Sequence, residues 1–264
     1  MRRPLTVVPL PDEFFQSPIA HRGLHDCDGR FGFGRTENSF AAFRSAINHG
    51  YGIEVDIQLS ADGVPIVFHD TCLKRLLKIE KKVSELTVKS LKNLSLINNE
   101  VIPTFDELLK LVSGQVPLLV EIKDQDGCLG KNNRGIEDAV AICLKKYIGP
   151  IAVMSYNPHS VQAFGKKLPT IPRGLVTEAF NECDWPKLTK SHLANLRSLK
   201  RVAELGASFI SHEHSDLASE NILRLPIKTK IFSWTIRNES DLEVALTKCD
   251  NITFEGFFPK RSIN

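Results

Sequence analysis

The stretch IEVDIQLSADGVPIVFHD, residues 53–70, decides how this chain folds. Its first half alternates, with Ile53, Val55 and Ile57 on one side and Glu54 and Asp56 on the other, which is the period of a β-strand. A second apolar run, VPIVFHD, follows after only SADG. So short a link cannot carry a parallel crossover, so the second run must turn back antiparallel to the first. A hairpin centred near Ala61 and Asp62 places His69 opposite the level of Glu54. Two costly acids on one strand face, with a histidine folded back beside them, call for an explanation.

Outward from this hairpin the chain alternates β-branched or apolar runs with helical patterns. Strands are expected at 18–23, 52–58, 117–123, 151–156, 173–178, 207–214, 230–236 and 251–256, each separated from the next by room for a helix. In TENSFAAFRSAINHG, Thr36 or Asn38 can cap a helix that Gly50 ends. PTFDELLKLVSG has Thr104 as cap and an apolar stripe of Phe105, Leu108, Leu109 and Val112. Asn157 and Pro158 open another helix, and SDLE at 240–243 reads as a capping box. This alternation predicts an α/β fold, a (β/α)8 TIM barrel, in which VPIVFHD is an additional antiparallel run. No low-complexity linker divides the sequence, so residues 1–264 read as a single domain.

The carboxyl ends of barrel strands form the mouth where active sites sit. Glu121 and Lys123 in LLVEIK repeat the spacing of Glu54 and Asp56. Three carboxylates aimed into one mouth repel each other and resist ionisation when desolvated. A divalent cation resolves this, and an all-oxygen set suits Mg²⁺ or Ca²⁺ better than zinc. The competing reading of each acid alone is an ion pair with Lys123 or Arg22. His21, at the end of the first strand, and His69 would flank the metal as general base and general acid. Arg22 and Lys123 add positive charge beside it, and the set describes a phosphodiester-cleaving site. His212 and His214 at another strand end are weaker candidates for substrate contact. No GxSxG elbow, Walker loop or GxGxxG motif occurs, which removes serine hydrolase, P-loop and dinucleotide readings.

Composition sets the remaining bounds. The chain has 264 residues, a formal charge of +3, 42% hydrophobic and 25% charged residues, values ordinary for a globular protein and not suggestive of nucleic-acid binding. The basic run KRLLKIEKK, 74–82, reads as a solvated helix face. No apolar run is long enough for a membrane span or a signal-peptide core. The six cysteines lack metal-site spacing, and reduced thiols in a cytoplasmic protein are the expectation.

Taken together, HRG at 21–23, ENS at 37–39, GIEVDIQLSADGVPIVFHD, IPTFDELL at 102–109, LLVEIK at 118–123, SYNP at 155–158 and FSWTIRN at 232–238 resemble the glycerophosphodiester phosphodiesterase family. The resemblance runs in order over nearly the whole chain. It implies a (β/α)8 barrel with a small insertion after the second barrel strand, at about 71–101. It also implies one divalent cation, Mg²⁺ or Ca²⁺, and hydrolysis of a small-molecule glycerophosphodiester to glycerol 3-phosphate and an alcohol. By the same resemblance Glu54, Asp56 and Glu121 hold the metal, and His21 and His69 are the acid–base pair. Arg22 and Lys123 contact the phosphate, Trp234 lines the substrate site, and Glu37 is a ligand or, the preferred reading, an arginine orienter.

The chain departs from the family pattern in three places. The spacer between Gly23 and Glu37 is long and glycine-rich, RLL stands at 75–77 in place of RTT, and ITFE at 252–255 replaces ITD. A lysophospholipase D or sphingomyelinase D-like activity on lipid diesters is the alternative, given the Leu-rich insertion and Phe31, Phe33, Phe257 and Phe258.

Overall fold

The computed structural model describes residues 5–26, 34–96, 99–131 and 133–260. Nine strands form one sheet among these residues: β1 Ile19–Ala20, β2 Gly52–Leu59, β3 Pro65–Val67, β4 Leu118–Ile122, β5 Ile151–Ser155, β6 Arg173–Thr177, β7 Phe209–Glu213, β8 Lys230–Ile236 and β9 Asn251–Phe254. Parallel pairing runs from β2 through β4 to β9, and β1 pairs in parallel with both β2 and β9. The eight parallel strands therefore close on themselves, and β3 hangs antiparallel on β2. The helices are α1 Phe40–His49, α2 Lys74–Leu77, α3 Val88–Lys92, α4 Phe105–Val112, α5 Ile136–Leu144, α6 Pro158–Lys167, α7 Lys190–Arg197, α8 Arg201–Glu204, α9 Glu220–Leu223 and α10 Glu239–Leu246. This is the expected (β/α)8 barrel.

Local chemistry sets most helix ends where expected. Thr104 caps α4 and exchanges a capping box with Glu107, Asn157 caps α6 ahead of Pro158, and Gly50 closes α1 in the left-handed region at φ 69°. Two caps move. Ser39, rather than Thr36 or Asn38, accepts the Ala42 amide at the start of α1, because Asn38 has φ 54° and its side chain turns to Asp56. Asn238 caps α10, which puts Ser240 inside the first turn. The basic run 74–82 is not one helix: α2 stops at Lys78, where φ reaches 61°.

Core packing separates into layers. Ile53, Val55 and Ile57 are fully buried against Phe43 of α1 and Phe105 of α4 in the shell between barrel and helices. Inside the barrel Phe14, Ile19, Leu119, Ala152, Phe209 and Phe232 form a plug at the end away from the strand termini. Phe14, on the 3-10 turn Asp12–Phe15, stacks on Phe232 with centroids 6.0 Å apart. Phe14→Ala is expected to cost about 3–5 kcal/mol, read from the midpoint of urea unfolding, since its ring is wholly enclosed. The segment between β3 and α4 makes its own small core from Phe68, Leu73, Val83, Leu91 and Leu96. No helix of the described residues is long and apolar enough to cross a membrane. Cys72, Cys128, Cys143, Cys183 and Cys249 are free thiols. Cys27, Phe31 and Phe33, with most of the glycine-rich spacer, lie outside the described residues.

Candidate active site

The alternation of β2 decides where its acids go. With Ile53, Val55 and Ile57 committed to the helices, Glu54 and Asp56 face the barrel interior, at 2% and 1% exposure. β4 lies parallel in a register that sets Glu121 beside Asp56. Oxygens of Glu54, Asp56 and Glu121 fall within 4.8 Å of one another. Burial, with Asp56 and Glu121 close by, pushes Glu54 well above the usual carboxylate range. Burial works the same way on Asp56, but the charges of Lys123, His69 and Arg22 outweigh it and hold its carboxyl low.

Two cations meet this cluster. Lys123 Nζ bridges Asp56 Oδ1 at 3.0 Å and Glu121 Oε1 at 2.9 Å. Burial would lower the Lys123 ammonium, but Asp56 and Glu121 overcome it and raise it. Arg22 Nε lies 3.5 Å from Asp56, and the Arg22 amide donates to Glu54 Oε2 at 3.1 Å. The first strand ends at Ala20, short of the expected 18–23, because Arg22 and Gly23 both take positive φ, 54° and 77°. That bend aims the Arg22 amide at Glu54. Three carboxylates face two cations, and among the described residues Glu54 accepts only the neutral amide of Arg22. The donor set fits one hard divalent cation, which would neutralise the acid that now resists ionisation.

Both acid–base candidates, His21 and His69, have a carboxylate on Nδ1. His69 Nδ1 is 2.7 Å from Asp70 Oδ1, and His21 Nδ1 is 2.6 Å from Glu255 Oε2. Burial would raise Glu255, but the hydrogen bond from His21, the neighbouring His25 imidazole and the charge of Arg237 hold it well below the usual range. Burial, with Arg22 second, brings His21 down to about 4 in spite of Glu255, so its ring is neutral at pH 7. The folded state therefore binds fewer protons than the unfolded chain between about pH 4 and 6.5. His21 contributes stability above pH 6.5 that is lost as pH falls toward 4, up to about 3 kcal/mol. Thermal melts taken at decreasing pH are expected to decline less steeply for His21→Gln than for the wild-type chain.

Eight of the candidates, His21, Arg22, Glu54, Asp56, His69, Glu121, Lys123 and Trp234, line one cavity of about 160 Å³. A larger cavity of about 660 Å³ adjoins it and shares His69, Glu121, Lys123 and Tyr156 but not His21. Trp234 is fixed by its Nε1–H to Ser211 O at 2.9 Å. Glu37 stays out of the acid cluster and accepts from Arg22 at 2.9 Å, the expected orienting contact. His212 and His214 do not reach the cavity. His212 is buried between Thr177 and Asp216, and His214 sits 3.9 Å from Asp241.

Sequence reasoning missed several supports. Arg75, the residue that RLL shares with RTT, forks onto Glu37 at 2.7 and 2.6 Å and onto Asp70 at 2.6 and 3.0 Å. Gln58 donates to the carbonyls of Phe68, His69 and Asp70 and fixes the His69 turn. Its place two residues past Asp56, on the same face, was the available signal. The Glu255 contact had only one sequence clue, the one-place shift of the acid in ITFE.

Residues 21–252 match the profile of the glycerophosphoryl diester phosphodiesterase family. A glycerophosphodiester phosphodiesterase of Caldanaerobacter subterraneus subsp. tengcongensis is 27% identical over 235 residues, which cover 85% of this chain and 87% of that protein. An Oleispira antarctica phosphodiesterase, solved in complex with the product sn-glycerol-3-phosphate, superposes with a TM-score of 0.70 at 24% identity over 90% of this chain and 91% of its own. The Thermotoga maritima glycerophosphodiester phosphodiesterase gives 0.67 at 22% identity, over 90% and 94%. At these identities the solved structures speak for the barrel alone. The match over nearly the whole chain does more: this chain belongs to the glycerophosphoryl diester phosphodiesterase family.

Proposed function

We propose that this protein hydrolyses glycerophosphodiesters to sn-glycerol 3-phosphate and an alcohol, using one divalent cation and two histidines. The observation that carries this reading is a single cavity holding two carboxylate-backed imidazoles and a buried carboxylate trio. Glu54, Asp56 and Glu121 would hold Mg²⁺ or Ca²⁺, which when bound supplies positive charge to the nonbridging phosphate oxygens. Counted with all three carboxylates ionised, Arg22, Lys123 and the trio sum to net negative, and a divalent ion would bring that sum to net positive, the sign a phosphodiester requires. Arg22 and Lys123 bind the same phosphate oxygens and orient the ester bond, and Trp234 walls the glycerol side.

Glu255 holds the His21 proton on Nδ1, which leaves Nε2 as the lone pair that takes the proton of the attacking hydroxyl. His69 lines both cavities and therefore stands between the enclosed pit and the larger space for the alcohol. We assign it the proton donated to the leaving oxygen, with Asp70 fixing its ring. The lipid-diester alternative draws little support. Leu73, Leu91 and Leu96 of the insertion are spent in its own core, and Phe257 packs on Phe254 with centroids 5.8 Å apart, away from both cavities.

The test is release of glycerol 3-phosphate from glycerophosphocholine, run beside lysophosphatidylcholine. Turnover of the former is expected to exceed that of the latter, to vanish in EDTA and to return with added Mg²⁺ or Ca²⁺. EDTA-resistant turnover, or none on any glycerophosphodiester, would sink the proposal.

A further inference from the structure

A second set of ligand-capable atoms lies beside the acid trio. His21, His25 and Glu255 each bring one such atom within 4.8 Å of the others. Glu255 Oε2 is 2.6 Å from His21 Nδ1 and 3.7 Å from His25 Nε2. The longer distance is beyond hydrogen-bond reach. Among the described residues His25 Nε2 has no hydrogen-bond partner, although its side chain is only 4% exposed. A buried imidazole nitrogen without a partner is destabilising unless something occupies the space it faces.

We propose that His21, His25 and Glu255 form a second metal site, selective for a borderline transition ion such as Zn²⁺, whose occupation switches the enzyme off. Two imidazole nitrogens and one carboxylate oxygen suit zinc, whereas the all-oxygen trio suits a harder ion. Neighbouring ligand atoms around tetrahedral zinc stand roughly 3.3 Å apart. The His21–Glu255 pair therefore opens by less than about 1 Å, and the His25–Glu255 pair closes by a few tenths. Arg237 Nε holds Glu255 Oε1 at 2.6 Å, which leaves Oε2 for the ion. A cavity of about 360 Å³ lined by His25 and Glu255, and also by Arg22, Arg35, Arg75 and Arg237, offers an entry path, and a solvent molecule would take the fourth position.

The inhibition follows from the tautomer, and this part rests on the two-histidine reading above. Zinc takes the Nδ1 lone pair of His21. The single ring proton then relocates through solvent from Nδ1 to Nε2, the nitrogen that must accept a proton from the nucleophile. The base is blocked without displacement of the trio's cation.

The test keeps the full chain in excess Mg²⁺ and Ca²⁺ and titrates Zn²⁺ against a chromophoric chelator, with Co²⁺ as a visible stand-in. One Zn²⁺ per chain, d–d absorption of four-coordinate Co²⁺, and loss of turnover at stoichiometric Zn²⁺ are expected. His25→Gln is expected to retain zinc-free turnover, to bind Zn²⁺ on the order of 100-fold more weakly and to resist inhibition. Wild-type Co²⁺ spectra without those bands would overturn the site even if the variant failed to fold. Equal Zn²⁺ affinity in His25→Gln would do the same. Absence of turnover in zinc-free, Mg²⁺-loaded wild type would instead strike the diesterase reading, and the titration would still decide whether the zinc site exists.

Discussion

His69→Ala is expected to lower kcat on glycerophosphocholine by about 10²- to 10⁴-fold with little change in KM. The ring touches the space of both cavities, so its loss removes proton transfer to the leaving oxygen rather than a binding surface. It is 31% exposed at the end of the hairpin, and the circular dichroism spectrum should not change. His21→Ala is expected to fall in the same range, and the double variant only slightly further, because the two act as a unit. A diester with an acidic leaving group, such as a p-nitrophenyl ester, separates the roles. It needs no general acid, so it should restore most of the rate to His69→Ala and none to His21→Ala. Equal rescue of both would refute the assignment, and a kcat within tenfold of wild type for either would refute the scheme.

The second large effect is expected from Glu54→Gln. The amide keeps the shape but removes the charge of the most crowded acid in the trio, so affinity for Mg²⁺ should fall by more than about tenfold and turnover at limiting metal with it. Melting temperature supplies a readout independent of turnover. A ligand present at 100 times its Kd stabilises by about 2.7 kcal/mol, so added Mg²⁺ or Ca²⁺ should raise the wild-type melt and leave the variant unmoved. Without metal the order should reverse. Burial beside Asp56 and Glu121 raises the Glu54 carboxyl, so its contribution to stability is present at low pH and lost as pH rises through the raised value. The uncharged amide of the variant escapes that loss, and the metal-free variant should melt no lower than metal-free wild type near neutral pH. A melt that rises equally with metal in both proteins would remove Glu54 from the ligand set.

Much of this site was legible because its rules are local. Period-2 alternation alone puts Glu54 and Asp56 opposite Ile53 and Ile57, and the shortness of SADG forces the hairpin. The register was legible only to within a residue. Gln58 pairs with Ile66, and the Phe68 amide reaches Asp56 O, so the turn centres on Asp62 and His69 comes level with Val55 rather than Glu54. The single-residue shift depends on how Ser60 and Asp62 bond within the turn, which alternation does not encode. The left-handed bend at Arg22 was equally hidden, since a non-glycine residue carries no sequence mark for positive φ.

By itself, then, the sequence determined the strand and helix alternation, the closed barrel it predicts, and which acids and histidines stand at strand ends. Only the tertiary structure decided the partners of those groups. Glu255 reaches His21 across 234 residues because β9 lies beside β1 when the barrel closes. Arg75 reaches Glu37 across 38 residues because the segment after β3 brings it to a cavity wall that Glu37 shares. Such contacts are set by closure of the sheet and the packing of its connections, and no local period or spacing carries that information.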